Sequence, residues 1–120
     1  MQPDNRDMAR LWDMLDAARA AIGFTAGRRY EDLLADRMLR SAVERNLEIV
    51  GEAARCVSSS LRDAHPEIPW RAIIALRNVL AHEYGEIRYE RLWIICTVQL
   101  AALVRHLEDI GVESPPEKEG

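Results

Sequence analysis

Residues 89–110 decide the fold class, and they read YERLWIICTVQLAALVRHLEDI. Apolar side chains recur in this stretch at steps of four and three residues. They are Tyr89, Trp93, Cys96, Leu100, Leu103, Leu107 and Ile110. This period predicts one helix with a single apolar face, and Gly111 predicts its end because glycine favours helix C-termini.

Three earlier segments show the same helical period. The first segment repeats at Met8, Leu11, Leu15, Ala18 and Ile22, with Asp4 as a candidate N-cap. The second begins near Tyr30 and repeats at Val43, Leu47, Val50, Ala54 and Val57. The third begins at Trp70, directly after Pro69, and runs to about Tyr84.

Strand signals are missing from the sequence, since no stretch alternates apolar and polar residues over a useful length. Four helices with short connections therefore predict an all-α fold, an antiparallel four-helix bundle. We expect one domain over residues 1–110 and a disordered tail over residues 111–120, which contain Ser-Pro-Pro-Glu-Lys-Glu-Gly.

Composition narrows the function classes. The 120 residues include 20 acidic and 16 basic side chains, a net charge of −4, which excludes a globally basic nucleic-acid coat but permits a local basic site. No apolar run approaches a membrane span, and the N-terminus lacks a secretory pattern, so the expected compartment is the cytoplasm. The histidines lack metal-ligand spacing, and no phosphate-loop or dinucleotide motif is present, so we predict neither a metal site nor a cofactor.

The third helix is unusual because it is basic in an acidic chain. From Pro69 to His82 it carries Arg71 and Arg77 and no acidic residue. At 100° per residue, one polar stripe holds Arg71, Asn78 and His82. The predicted core face lies elsewhere on the helix, at Ala72, Ile73, Leu76, Val79 and Leu80. Arg77 and His82 then flank a surface to which Ile74 and Ala81 point.

These residue types suit RNA cleavage. A neutral imidazole can accept the proton of a ribose 2′-OH, and an imidazolium can protonate the leaving oxygen. A fixed guanidinium can stabilise the charge that gathers on the phosphate, and Asn78 could orient either group. Other interpretations stay open. The stripe could be a solvated face, and His82 could be a cation at the helix C-terminus. Arg77 could pair with an acidic residue of the second helix, whose candidates are Glu44, Glu48 and Glu52.

The surrounding sequence adds a resemblance. Residues 77–84 read RNVLAHEY and match the pattern R-N-x-x-x-H-x-Y. Residues 69–76, PWRAIIAL, lead into it, and residues 46–54 read NLEIVGEAA. Together these stretches resemble the HepT-like branch of the HEPN superfamily, the toxin half of HepT/MntA toxin–antitoxin modules. The resemblance covers roughly residues 5–110.

That resemblance implies an all-α bundle, a homodimer with a composite cleft, and metal-independent endoribonuclease activity on RNA. On it we predict Arg77 and His82 as the catalytic pair, with Asn78 and Arg71 in supporting roles. It also implies an MntA-like nucleotidyltransferase antitoxin that transfers AMP to the motif tyrosine, here Tyr84. The alternative is a non-catalytic dimeric helical module that positions a substrate for a nucleotidyltransferase.

Overall fold

A computed structural model describes residues 4–82, 87–112 and 114 of the chain. Within these residues all regular structure is helical. The helices are α1 (Asn5–Thr25), α2 (Tyr30–Ala35), α3 (Arg37–Cys56), α4 (Ser59–Ala64), α5 (Trp70–His82), α6 (Tyr89–Ile94) and α7 (Leu100–Ile110). A π-helical turn, Ile95–Gln99, joins α6 to α7. The all-α prediction is therefore confirmed.

Short polar side chains begin three of the helices. The Asp4 carboxylate accepts from the Asp7 amide at 2.8 Å, as predicted for the start of α1. Asp36 caps α3 by accepting from the amides of Met38 and Leu39. At α4 the Ser58 hydroxyl accepts from the Leu61 amide at 3.3 Å. Each cap satisfies backbone N–H groups that have no partner within the helix.

The core lies between α1 and α3, which are antiparallel neighbours. Asp7, near the start of α1, is 6% exposed and binds Ser58 just beyond the end of α3. The fully buried side chains of the pair interlock along its length: Leu11, Met14, Leu15, Ala18, Val43, Leu47 and Ala54. Helix α7 packs on the other side of α1, and α5 packs on α3. This arrangement places α5 at one edge of the bundle.

Three local features depart from the predicted segments. The second segment is interrupted at Asp36, because the side chain that caps α3 also ends α2. A short helix, α4, follows where the run of serines was expected to weaken helical structure, and buried Leu61 anchors it. The last segment was predicted as one regular helix, yet it contains the π turn at Ile95–Gln99.

The predicted end of the last helix is confirmed. Helix α7 ends at Ile110, and Gly111 adopts the left-handed conformation with φ 91°, as its position predicted. The expected end of the third segment near Tyr84 and most of the expected tail lie outside the described residues. In the part of the chain that the structure describes, no helix is long and apolar enough to cross a membrane.

Candidate active site

Helices α3 and α5 approach each other tightly at Gly51. A Cβ placed on Gly51 would lie 2.2 Å from the Arg77 Cβ and 3.0 Å from the Ile73 carbonyl oxygen. No side chain fits there, so glycine is what allows the two helices to meet at this point. The backbone of α3 therefore sets the position of the Arg77 stem.

This contact corrects the edges of the predicted core face of α5, although three of its five predicted members do pack against the core: Ile73, Leu76 and Leu80. Ala72 was expected in the core but is exposed, whereas the Cβ of Arg77 faces α3. Ile74, expected on the open surface, packs partly against the core. The face that meets α3 is thus rotated toward Arg77. The reason lies in Gly51 on the neighbouring helix, which the periodicity of α5 itself cannot reveal.

The Arg77 guanidinium is held by two neighbours. Its Nε lies 2.9 Å from the Glu52 Oε2, although the N–H does not point at that oxygen, so the contact is an ion pair and not a hydrogen bond. Its terminal nitrogen donates to the Asn78 Oδ1 at 3.1 Å. The side chain is 22% exposed. Of the three acidic residues considered from sequence as partners for Arg77, the structure pairs it with Glu52.

Glu52 is the centre of a small cluster of arginines. Arg55 donates to both of its carboxylate oxygens, at 2.7 and 3.3 Å. This hydrogen bonding lowers the pKa of Glu52 against the opposing effect of desolvation, and the charges of Arg55, Arg77 and Arg10 lower it further. The carboxylate is therefore ionised at neutral pH and is available as a fixed counter-ion for Arg77.

A cavity of about 140 Å³ opens beside this ion pair. Helices α1, α3 and α5 all contribute to its wall. The lining residues are Arg10, Asp13, Arg45, Glu48, Ile49, Glu52, Ala53 and Arg77. Arg77 is thus reachable from outside the helix contact that fixes its stem. Three arginines and three carboxylates line this cavity, so the Arg77 guanidinium is accessible there beside charges of both signs.

The other predicted site residues are placed only in part. His82 is the last residue of α5, but its side chain and all of Tyr84 lie outside what the structure describes. Arg71 and Asn78 are exposed, and helical spacing puts position 82 on their stripe. The structure therefore brings Asn78 to Arg77, but leaves Arg71 about 10 Å along the helix from Asn78. Among the described residues, no three His, Cys, Asp or Glu side chains form a group that could hold a metal ion.

Two residues of this site were not singled out by sequence reasoning. Gly51 was quoted within a motif but given no role, and Glu52 was one of three possible partners. A usable signal existed for Gly51, because a glycine inside a helix lowers stability by about 1 kcal/mol relative to alanine and calls for a packing reason. No such local signal distinguishes Glu52 from Glu48.

Comparison with known proteins identifies the family. The model of the family described as Ribonuclease HepT-like matches residues 14–110. The chain belongs to this family. Among similar proteins of the family, one of Methanocaldococcus jannaschii named "Putative RNase MJ1380" is 37% identical over 100 residues, covering 83% of this chain and 92% of its own. A Thermococcus cleftensis protein named "Probable ribonuclease HepT" is 37% identical over 83 residues, covering 69% of this chain and 76% of its own.

A second Methanocaldococcus jannaschii protein, named "Putative RNase MJ0127", is 31% identical over 102 residues, covering 85% of this chain and 84% of its own. No solved structure gave a match. The family assignment therefore rests on sequence, and the helical structure agrees with the bundle that the resemblance implied.

Proposed function

We propose that the chain is the toxin of a toxin–antitoxin module, a metal-independent endoribonuclease that acts in the cytoplasm as a homodimer. The observation that supports the proposal best is the placement of Arg77. Its stem packs on Gly51, and its guanidinium contacts Glu52 and Asn78. The guanidinium is also open to a cavity. Membership of the Ribonuclease HepT-like family supports RNA as the substrate.

The proposed reaction is an internal transesterification of RNA. The 2′-oxygen attacks its own phosphodiester, forming a new oxygen–phosphorus bond while the bond to the leaving 5′-oxygen breaks. His82 accepts the proton of the 2′-OH, and an imidazolium donates a proton to the 5′-oxygen. Arg77 uses the donors that Glu52 and Asn78 leave free to bind the phosphate oxygens. The products carry a 2′,3′-cyclic phosphate and a free 5′-OH.

A homodimer is proposed because helical spacing places positions 77 and 82 on different stripes of α5. Arg77 faces α3, whereas position 82 falls on the exposed stripe of α5. Along residues 70–81 only Trp70 is buried, and Arg71, Ala72, Ala75 and Asn78 are exposed, so α5 retains an open face. A second copy related by a two-fold axis would meet the C-terminal half of α5 and bring the partner's His82 toward Arg77, which leaves the N-terminal half of α5 open. A monomer in sedimentation equilibrium at micromolar concentration would contradict this proposal.

The catalytic assignment is tested with Arg77→Ala and His82→Ala. Each variant should cleave RNA about 10²–10⁴-fold more slowly than the wild type, because each removes a group that acts in the transition state. Asn78→Ala should lose less activity, since Asn78 only supports Arg77. Circular dichroism checks that the helices persist. Wild-type cleavage should survive EDTA, and the assignment fails if chelation stops cleavage or if both alanine variants remain active.

We further propose that a nucleotidyltransferase antitoxin controls the toxin through Tyr84. The phenolic oxygen would attack the α-phosphorus of ATP, forming a tyrosyl–AMP bond and releasing pyrophosphate and a proton. The added phosphate would compete with RNA for Arg77. Tyr84→Phe should keep part of the cleavage activity but escape neutralisation. Equal neutralisation of Tyr84→Phe and wild type, with no AMP adduct by mass spectrometry, would favour inhibition by complex formation instead.

The second candidate function is a non-catalytic helical partner that positions a substrate for a nucleotidyltransferase. The charge balance of the chain favours it, because an acidic protein attracts RNA weakly. Wild-type protein that binds the transferase but never cleaves RNA would support this candidate.

A further inference from the structure

A groove of about 960 Å³ lies between α4 and the N-terminal half of α5. Pro66 and Pro69 of the loop that joins the two helices line it, as does Trp70 at the start of α5. Trp70 is 8% exposed, and its indole N–H donates to the His65 carbonyl at 2.9 Å, so its ring is held rigidly. The groove is therefore a preformed feature of the bundle edge. The proposed chemical step does not use the groove, although one of its lining residues, Arg71, was predicted from sequence as a supporting residue of the site.

Two arginines make this groove attractive to anions. Arg62 and Arg71 line it, and Asp63 is its one acidic lining residue. The Arg62 Nε is buried and has no hydrogen-bond partner in the described chain. Within residues 4–82, 87–112 and 114, neither arginine forms an ion pair with a carboxylate. The N-terminus of α5 adds a partial positive charge at the same place.

The groove is continuous with the motif. Arg71, Ala75, Asn78 and position 82 follow one another at steps of four, three and four residues, so they form one stripe along α5. Arg71 and Ala75 belong to the groove wall, and Asn78 binds Arg77. The distance along the helix from Arg71 to position 82 is about 16 Å. A polyanion bound along this stripe could therefore contact both the groove and Asn78.

We propose that this groove is a second subsite, which binds the single-stranded RNA nucleotides that flank the scissile phosphate. Arg62 and Arg71 contact backbone phosphates, and their guanidinium planes offer a surface on which an unstacked base can lie. The inference rests on the ribonuclease function proposed above. It extends that function to residues outside the motif and explains how an acidic chain holds RNA.

Binding of a labelled 12-nucleotide single-stranded RNA tests the subsite, with His82→Ala in every protein to prevent cleavage. Adding Arg62→Gln should weaken RNA binding about 5-fold at 0.1 M salt. One phosphate contact strengthens the affinity for single-stranded RNA by about this factor when the salt concentration falls from 1 M to 0.1 M. The slope of log affinity against log salt should fall by about 0.7. The matched control is Arg28→Gln, an exposed arginine beyond the far end of α1, which should change neither value.

A second variant fills the groove without changing charge. Ala75→Trp should also weaken RNA binding, while circular dichroism reports intact helices. In proteins that retain His82, Arg62→Gln should raise KM with little change in kcat, because the groove binds RNA away from the reacting atoms. A short dinucleotide substrate, which cannot reach the groove, should be cleaved equally by Arg62→Gln and the wild type.

The outcomes separate this inference from the function on which it rests. Unchanged RNA affinity in both Arg62→Gln and Ala75→Trp, with a wild type that still cleaves RNA, overturns the subsite alone. If the variants weaken self-association but not RNA affinity per dimer, the groove belongs to a contact between copies and the subsite is wrong. A wild type that neither binds nor cleaves RNA overturns both the proposed function and the subsite.

Discussion

Glu52 shows how a carboxylate can support an anion-binding site. Its charge would oppose an incoming phosphate, yet it holds Arg77 at 2.9 Å and is itself bound by Arg55. The pair therefore keeps the guanidinium in one place. We interpret Glu52 as a positioning residue, because its contact is with Arg77 and not with the reacting atoms.

The lowered pKa of Glu52 predicts a pH dependence of stability. Hydrogen bonding to Arg55 favours the ionised form, so the folded state has the lower pKa. The stabilisation is therefore complete above the ordinary pKa of a glutamate and is lost as the pH falls through the lowered folded value. Glu52→Gln should reduce the drop in urea midpoint between pH 6 and pH 3, and Arg55→Gln should do the same. An equal drop in all three proteins would contradict the assignment.

At the scale of helices, the contact at Gly51 couples stability to the position of Arg77. An alanine Cβ at this position would meet the Arg77 stem at 2.2 Å, so α5 must move away. We expect Gly51→Ala to destabilise the fold by about 1–3 kcal/mol as an overpacked contact. Cleavage should fall as well, since a misplacement of about 1 Å can cost about 100-fold in rate.

Gly23 provides the matched control, because it is also helical but a Cβ placed on it would have no atom within 4 Å. Gly23→Ala should stabilise the fold by about 0.5–1 kcal/mol through helix propensity alone. Thermal or urea unfolding distinguishes the two variants. A Gly51→Ala protein as stable and active as Gly23→Ala would show that the α3–α5 contact is not tight.

A second helix-scale prediction concerns Asp7, which joins α1 to the start of α4. Its carboxylate accepts from the Ser58 amide at 2.9 Å and from the Ser58 hydroxyl at 2.5 Å. Asp7→Ala should lower the free energy of unfolding by about 1–3 kcal/mol, since it leaves a partly buried amide unpaired. Asp16→Ala, an exposed change on the same helix, should have little effect. Similar losses in both variants would assign the effect to α1 itself.

Sequence periodicity predicted the long helices well because each buries one apolar stripe, and the spacing of apolar residues in the sequence shows that stripe. Asp4 and Gly111 could be predicted as helix ends because aspartate favours N-caps and glycine favours helix C-termini. The rotation of α5 could not be predicted, because it depends on the absence of a side chain at Gly51 on another helix. Likewise, the pairing of Arg77 with Glu52, and not with Glu44 or Glu48, depends on how α3 and α5 are placed. No local sequence pattern predicts that placement.

At the scale of the whole molecule, the distribution of charge matters more than its sum. The chain carries −4 overall, yet α5 contributes Arg71 and Arg77 with no acidic residue between Trp70 and His82. A two-fold dimer through this helix would place two such segments together and concentrate positive potential in one cleft. RNA affinity in this arrangement should depend steeply on salt despite the acidic composition.

The edge position of α5 has a consequence for local opening. Along residues 70–81 only Trp70 is buried, and the main packing partner of α5 is α3. A helix held on one side should open more readily than α1 or α3, whose side chains fill the core. In hydrogen–deuterium exchange, amides of α5 should therefore exchange before those of α1 in dilute protein and become protected when a second copy or RNA covers the open side. The helix that carries the motif would then be fully ordered only in the assembled state, so its activity would depend on protein concentration.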